Sequence, residues 1–320
     1  MYKKLLMTLF VLLAGTIYIT SAEAATPKET FGKNLVYGAD SENTNLGHRW
    51  AMLNTALTET ANTNYYWAQR NLGDAHQIYN DYFKEAALEV DPESDQIIED
   101  KLYYNAEYIK TRQLTEVGLN RQIIDNTINK IVYMKLEKAL DEGDADSFLY
   151  WYPVMETKFG ISKNTALMTN QAIAEIKESP DKIHYYKNTI KSELLTIFKN
   201  KIVAEVRKAV TAADQGKTND AITATHVAYY QYRSVHPDLA SKIGQDNAEK
   251  IESNIKLAMD TARSGVPNTT MKAQLSKILK TVEPVSAEFL FKNDNWRDWW
   301  HQSSIKTEEP TRFSNYVGKY

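Results

Sequence analysis

The sequence predicts an all-α fold of antiparallel helices, arranged as tandem helical-bundle repeats of about 70 residues. Three observations carry that expectation. Apolar residues recur every three or four positions from His48 to Glu283, which is the period of one helix face and not of a strand. Only 12 glycines and 8 prolines occur in 320 residues, and they fall mostly between periodic segments, which favours long helices. Finally, Gly73, Gly143 and Gly216 follow long helices at intervals of about 70 residues. A pair of aromatics comes after each glycine: Tyr82-Phe83, Trp151-Tyr152 and Tyr229-Tyr230. Ile98-Glu99 and Ile251-Glu252 occupy matching places further on. A unit of that size cannot close its own core and gains by stacking on its neighbours.

Taken in order, residues 1–24 read as an export signal peptide. Lys3 and Lys4 precede the apolar run Leu5–Thr20, and Ala22-Glu23-Ala24 fits a small-residue cleavage site. The run is about 16 residues, short of the roughly 20 a bilayer span needs, although an uncleaved anchor is the alternative. Residues 25–47 form a polar N-terminal arm with no sustained period. Helical unit 1 covers 48–118. Its first helix places Trp50, Leu53, Leu57, Ala61, Tyr65, Ala68 and Leu72 on one face and ends at Gly73-Asp74. A second carries Ala75, Ile78, Tyr82 and Ala86 inward and stops at Asp91-Pro92; a third carries Ile97, Ile98, Leu102 and Ala106. Unit 2, 119–180, opens within a helix over 111–142, single or kinked at Gly118, and closes at Ser179-Pro180. Pro153 marks a kink in its second helix.

Unit 3, 181–283, contains the clearest stretch, Lys201–Glu283. Four amphipathic helices are expected there, with stops at Gly216, at His236-Pro237, at Gly265-Val266-Pro267 and at Pro284. The series Ala248, Ile251, Ile255, Ala258, Ala262 is a narrow seam suited to packing inside the bundle. Residues 284–320 are a Trp-rich C-terminal tail.

Composition narrows the function classes. A formal charge of −3 gives no footprint for a polyanion, so no nucleic-acid partner is expected. With no cysteine, thiolate metal sites, haem attachment and cysteine nucleophiles are excluded. An exported chain without disulfides must rely on core burial, which a chain of this length can supply. No phosphate loop, dinucleotide fingerprint, Gly-x-Ser-x-Gly or His-Glu-x-x-His occurs, so no enzyme is expected.

The stretch Ala209–Val282 resembles a known family. A helix running Ala209 to Gly216, then Ala221, Tyr229-Tyr230, Pro237, Ile251-Glu252 and Ala262-Arg263-Ser264-Gly265, is similar to the periplasmic helical extension of high-affinity iron permeases. Leu72-Gly73-Asp74-Ala75, Tyr82-Phe83 and Ile98-Glu99 resemble it more faintly. The resemblance implies a helical bundle outside the membrane that helps handle iron. The permease portion of such proteins carries Arg-Glu-x-x-Glu on membrane helices. That motif and any internal span are missing here, so this chain alone is not expected to transport.

Three sets of residues are candidates for chemistry. Asp294, Asp298 and His301 are spaced to share one helix face, and their oxygen and nitrogen donors suit iron or zinc. The same residues also fit a short capped helix, with Asp294 at its start and His301 near its end. Glu99, Glu156 and Glu252 would converge on a metal if the repeats superpose, or else stand as solvated glutamates. Trp296, Trp299 and Trp300, beside Lys292 and Arg297, suit a partner groove or a bilayer interface, or docking on the protein's own bundle. His226, beside the apolar stripe of Ala221, Ala224, Ala228, Tyr232 and Val235, is expected at the edge of the core, satisfied by a neighbouring hydroxyl.

The expected function is an exported, non-enzymatic helical binding module, in the periplasm or at the cell surface. It would handle iron or another divalent metal beside a membrane transporter or oxidase. The alternative is a structural or accessory subunit of a cell-envelope membrane complex, associated peripherally with the membrane.

Overall fold

The computed structural model describes residues 45–62, 64–161, 167–264 and 268–282. Eleven α-helices and one 3₁₀ turn make up these residues, and no strand occurs among them. The all-α expectation holds.

Helix α1 (Leu46–Asn62) and α2 (Tyr65–Tyr82) are separated at 63–64, not at Gly73. Asn64 supplies the reason for the new start: its side chain accepts from the Trp67 backbone N–H, satisfying one orphan donor of α2. Gly73 lies inside α2, because Leu72, Ala75, Ile78 and Tyr79 around it are all buried. Packing of that stripe outweighs a helix-propensity penalty of about 1 kcal/mol for glycine. The glycine punctuation that suggests a repeat thus loses its first mark.

Helix α3 (Lys84–Val90) and α4 (Pro92–Lys110) meet at Asp91-Pro92, as expected, with Pro92 at the first helical position where its missing N–H is harmless. Arg112 turns the chain with φ 58 into α5 (Leu114–Glu142), a single helix of 29 residues that passes through Gly118. Residues 123 to 129 of α5 are all buried, so this helix is packed all round. It touches α1, α3, α4 and the later helices Ala145–Phe159, Ile183–Asp214 and Thr218–Ile243, and is the axis of the molecule.

Gly143 ends α5 at φ 73, and the next amide donates back to the Ala139 carbonyl, a left-handed cap that a Cβ would oppose. Asp144 then caps α6 (Ala145–Phe159), accepting from the Ser147 N–H at 2.9 Å. Helix α7 (Leu167–Glu178) leads through the turn Pro180–Lys182 into α8 (Ile183–Asp214), and Gly216, at φ 70, separates α8 from α9 (Thr218–Ile243).

The expected stop at His236-Pro237 does not occur. Pro237 is inside α9, which ends at Gly244 with φ 88. A proline removes one backbone bond, yet the buried Leu239 and Ala240 beyond it hold the chain helical against the core. Helix α10 (Gln245–Arg263) and α11 (Asn268–Val282) complete the fold. Ala248, Ile251, Ile255, Ala258 and Ala262 are all buried, so the narrow seam on α10 packs within the chain, against α9 and α11. A single apolar core runs from Leu46 to Val282.

Candidate functional site

An open cleft of roughly 390 Å³ lies between α1, α5 and α6, a volume suited to a small polar ligand. Asp125 of α5 is its buried anchor, 7% exposed. One carboxylate oxygen accepts from Trp50 Nε1 at 3.1 Å and from Asn54 Nδ2 at 2.7 Å. The other is bonded to the Lys158 ammonium, which projects from α6. That ammonium also lies 5.6 Å from the Trp50 ring centre and 5.9 Å from that of Phe159, where the negative ring faces favour a cation. At the rim, Arg121 donates to the Thr58 hydroxyl at 3.3 Å. The cleft therefore presents a fixed carboxylate with its own counter-ion, an indole wall, a guanidinium and a second carboxylate, Glu59. It can hold a polar or charged small molecule. Trp50 is the one member that sequence periodicity marks, as part of a core stripe. Asp125 carried a usable signal: it is the sole acidic residue between Glu116 and Glu137.

The three candidate glutamates do not converge. Glu99 on α4 accepts from His76 at 3.0 Å and from Lys84 at 2.5 Å. Burial raises its carboxyl, but Lys84 and His76 outweigh that and hold it below the usual range. Glu156 on α6 accepts from the Tyr152 hydroxyl at 3.4 Å, and Glu252 on α10 pairs with Lys256 at 2.7 Å. The physical reason is packing: α4, α6 and α10 share no extended contact. Among the described residues, no three His, Asp or Glu side chains are grouped so as to hold a metal ion.

Other titratable groups are buried for structural ends. Glu193 of α8 accepts from the Thr169 backbone N–H at 2.8 Å and from its hydroxyl, at the start of α7. Burial nevertheless pushes its carboxyl up to about 7, ahead of the lowering effect of these bonds. Tyr133 donates to Asp238 at 3.0 Å, and beside it burial and the Asp238 charge push Glu137 upward against the pull of Lys191. His226 is buried, with Nδ1 2.8 Å from the Ile222 carbonyl, and burial lowers its imidazole to about 4. Its partner is thus a backbone carbonyl and not the hydroxyl expected from the sequence.

Asp294, Asp298, His301, Trp296, Trp299 and Trp300 lie outside the described residues, as do the leader and nearly all of the polar arm. Among the described residues no helix is long and apolar enough to cross a membrane. In comparison with known families, the model of the iron permease FTR1 N-terminal domain matches residues 47–280. No curated protein and no solved structure matches the chain.

Proposed function

The chain belongs to the iron permease FTR1 N-terminal domain family, and from that premise we propose that it is an extracytoplasmic, non-enzymatic helical module that binds iron or another divalent metal beside a membrane transporter. The observation that carries this reading is the extent of the match, which takes in nearly the whole run from α1 to α11. Two further features support it. None of the described helices has the length and apolarity of a span. The cleft at Asp125 also offers charged and polar groups that can bind a ligand.

The metal donors in this proposal are Asp294, Asp298 and His301, whose spacing puts two carboxylates and an imidazole on one face if that segment is helical. Elemental analysis of the full chain, purified without chelator and titrated with ferrous, ferric and zinc ions, tests it. Wild-type protein is expected to retain metal and to gain thermal stability, and the D294N/D298N/H301A variant to lose both. A metal-free wild type with no thermal shift ends the proposal.

A second reading is favoured by Trp296, Trp299 and Trp300: an accessory subunit of a cell-envelope membrane complex. Purification from solubilised native membranes decides it. Co-elution with a membrane complex, lost when the three tryptophans become serine, supports this role; recovery as a free monomer overturns it.

A further inference from the structure

One end of the bundle carries an exposed aromatic band that neither the core nor the cleft explains. Ten large apolar or aromatic side chains are exposed among the described residues, and six of them belong to this end: Tyr65, Tyr66, Trp67, Tyr103, Tyr104 and Leu114. The register of the helices brings them together. His76 meets Glu99 and Tyr79 meets Asp95, so α2 and α4 run antiparallel; the same register carries Trp67 to the level of Tyr108 and sets Tyr103 and Tyr104 level with Asn71 and Leu72, the next turns down from the tip. Thr58 meets Arg121 while Asn54 meets Asp125, so the end of α1 lies beside the start of α5. The first turn of α2, the last turns of α4 and the turn into α5 therefore share one tip.

The chemistry of the tip is specific. Five of its six exposed residues are Tyr or Trp, whose rings favour an apolar phase while their hydroxyl or indole N–H prefers a wet one. Tyr66 and Tyr103, the most exposed, are 67% and 68% accessible. Cations flank them. Arg70 stacks 5.2 Å from the Trp67 ring centre, and Arg112 has no carboxylate partner among the described residues. Of the nearby acids, Glu107 is neutralised by Lys110 at 2.7 Å and Asp74 faces Arg70, while Glu59 lies near the end of α1 and Glu116 in the first turn of α5. Rings that bridge two phases, with guanidinium groups beside them, match the ester and phosphate layer of a lipid bilayer.

We propose that this tip, formed by Tyr65, Tyr66 and Trp67 with Tyr103, Tyr104 and Leu114, docks end-on into the headgroup layer of a bilayer, with Arg70 and Arg112 on lipid phosphates. The bundle then stands upright on the membrane. This goes beyond the metal-binding role and does not depend on it.

Vesicle flotation of the full chain tests the proposal, using phosphatidylcholine vesicles with and without 30% phosphatidylglycerol. Wild-type protein floats with both and binds the anionic vesicles several-fold more tightly. Y65S/Y66S/W67S is expected to lower vesicle partition at least tenfold, and Y103S/Y104S several-fold, with far-UV circular dichroism unchanged. R70Q/R112Q removes most of the preference for phosphatidylglycerol and leaves binding to phosphatidylcholine intact. Substituting Trp296, Trp299 and Trp300 together leaves the effect of the tip variants in place. Three results overturn the proposal: no flotation of wild type, flotation unchanged in both aromatic variants, or flotation abolished by the tail substitutions alone. Recruitment only to vesicles containing a membrane protein would also overturn it, because the occupant would then be a protein.

Discussion

Asp125 engages its surroundings through both carboxylate oxygens, and its loss would leave Lys158 without a counter-ion at a site where each side chain is about nine-tenths buried. Removing one partner of such a pair costs on the order of 3 kcal/mol, much of it from the charge left behind. Asp125→Ala is accordingly expected to lower unfolding stability by about 3 kcal/mol in urea denaturation. Asp125→Asn keeps an acceptor for Trp50 and Asn54 and should lose less. Adding Lys158→Met to Asp125→Asn should recover part of that loss, with a coupling of at least about 1 kcal/mol in a double-mutant cycle. Strict additivity would show that the two side chains do not act as a pair. Sequence periodicity marks Trp50 but not its partners, because a contact between residues 50, 125 and 158 depends on how three helices pack, which no local pattern encodes.

The eleven helices among the described residues show which punctuation marks are strong at the level of the element. Gly143 adopts φ 73, and a Cβ there would run into the His184 ring. Gly73 sits in mid-helix with open space where a Cβ would go. Opposite outcomes follow for one substitution. Gly73→Ala is expected to raise stability by roughly 0.5–1 kcal/mol, through helix propensity and a less disordered unfolded chain. Gly143→Ala should lower it by about 1–2 kcal/mol for left-handed strain, before any cost of moving His184. Thermal denaturation of the two variants distinguishes them, and stabilisation by both would mean that Gly143 is no cap. Helix existence was legible throughout, since the buried stripes on α2, α4 and α10 follow the spacing read from sequence. Boundaries at Gly73 and Pro237 were not legible, because buried Leu72, Ala75, Leu239 and Ala240 override the local breaker. The 70-residue repeat rested on Gly73, Gly143 and Gly216, of which only the last two end a helix, and the helices as observed do not establish it.

The whole molecule carries a pH signature that follows from what its core encloses. Glu193 titrates near 7 when folded against an ordinary 4.5, so the folded state binds the extra proton between those values. Stability from this group is full below about 4.5 and declines as pH rises toward 7. His226 has the opposite sense. Lowered to about 4, it is neutral when folded, and its contribution is lost as pH falls from 6.5 to about 4. Between pH 5 and 8 the wild type should lose about 2 kcal/mol relative to Glu193→Gln, read from urea midpoints at each pH. Parallel pH profiles of the two proteins would show that Glu193 is not the source. None of this was legible beforehand: Glu193 is one of many glutamates on an amphipathic helix, and only the approach of α7 places it inside.

The Lys158 contact has one more consequence for anything that enters the cleft. An ammonium tethered a few ångströms from its carboxylate competes at a high effective concentration, because it is never free to diffuse away. A bare monovalent cation from solvent must evict that resident and leave the Lys158 ammonium without the Asp125 carboxylate. A zwitterion need not, since its positive end can take the carboxylate while its negative end receives the displaced lysine. The cleft is thereby biased toward guests that bring both signs of charge.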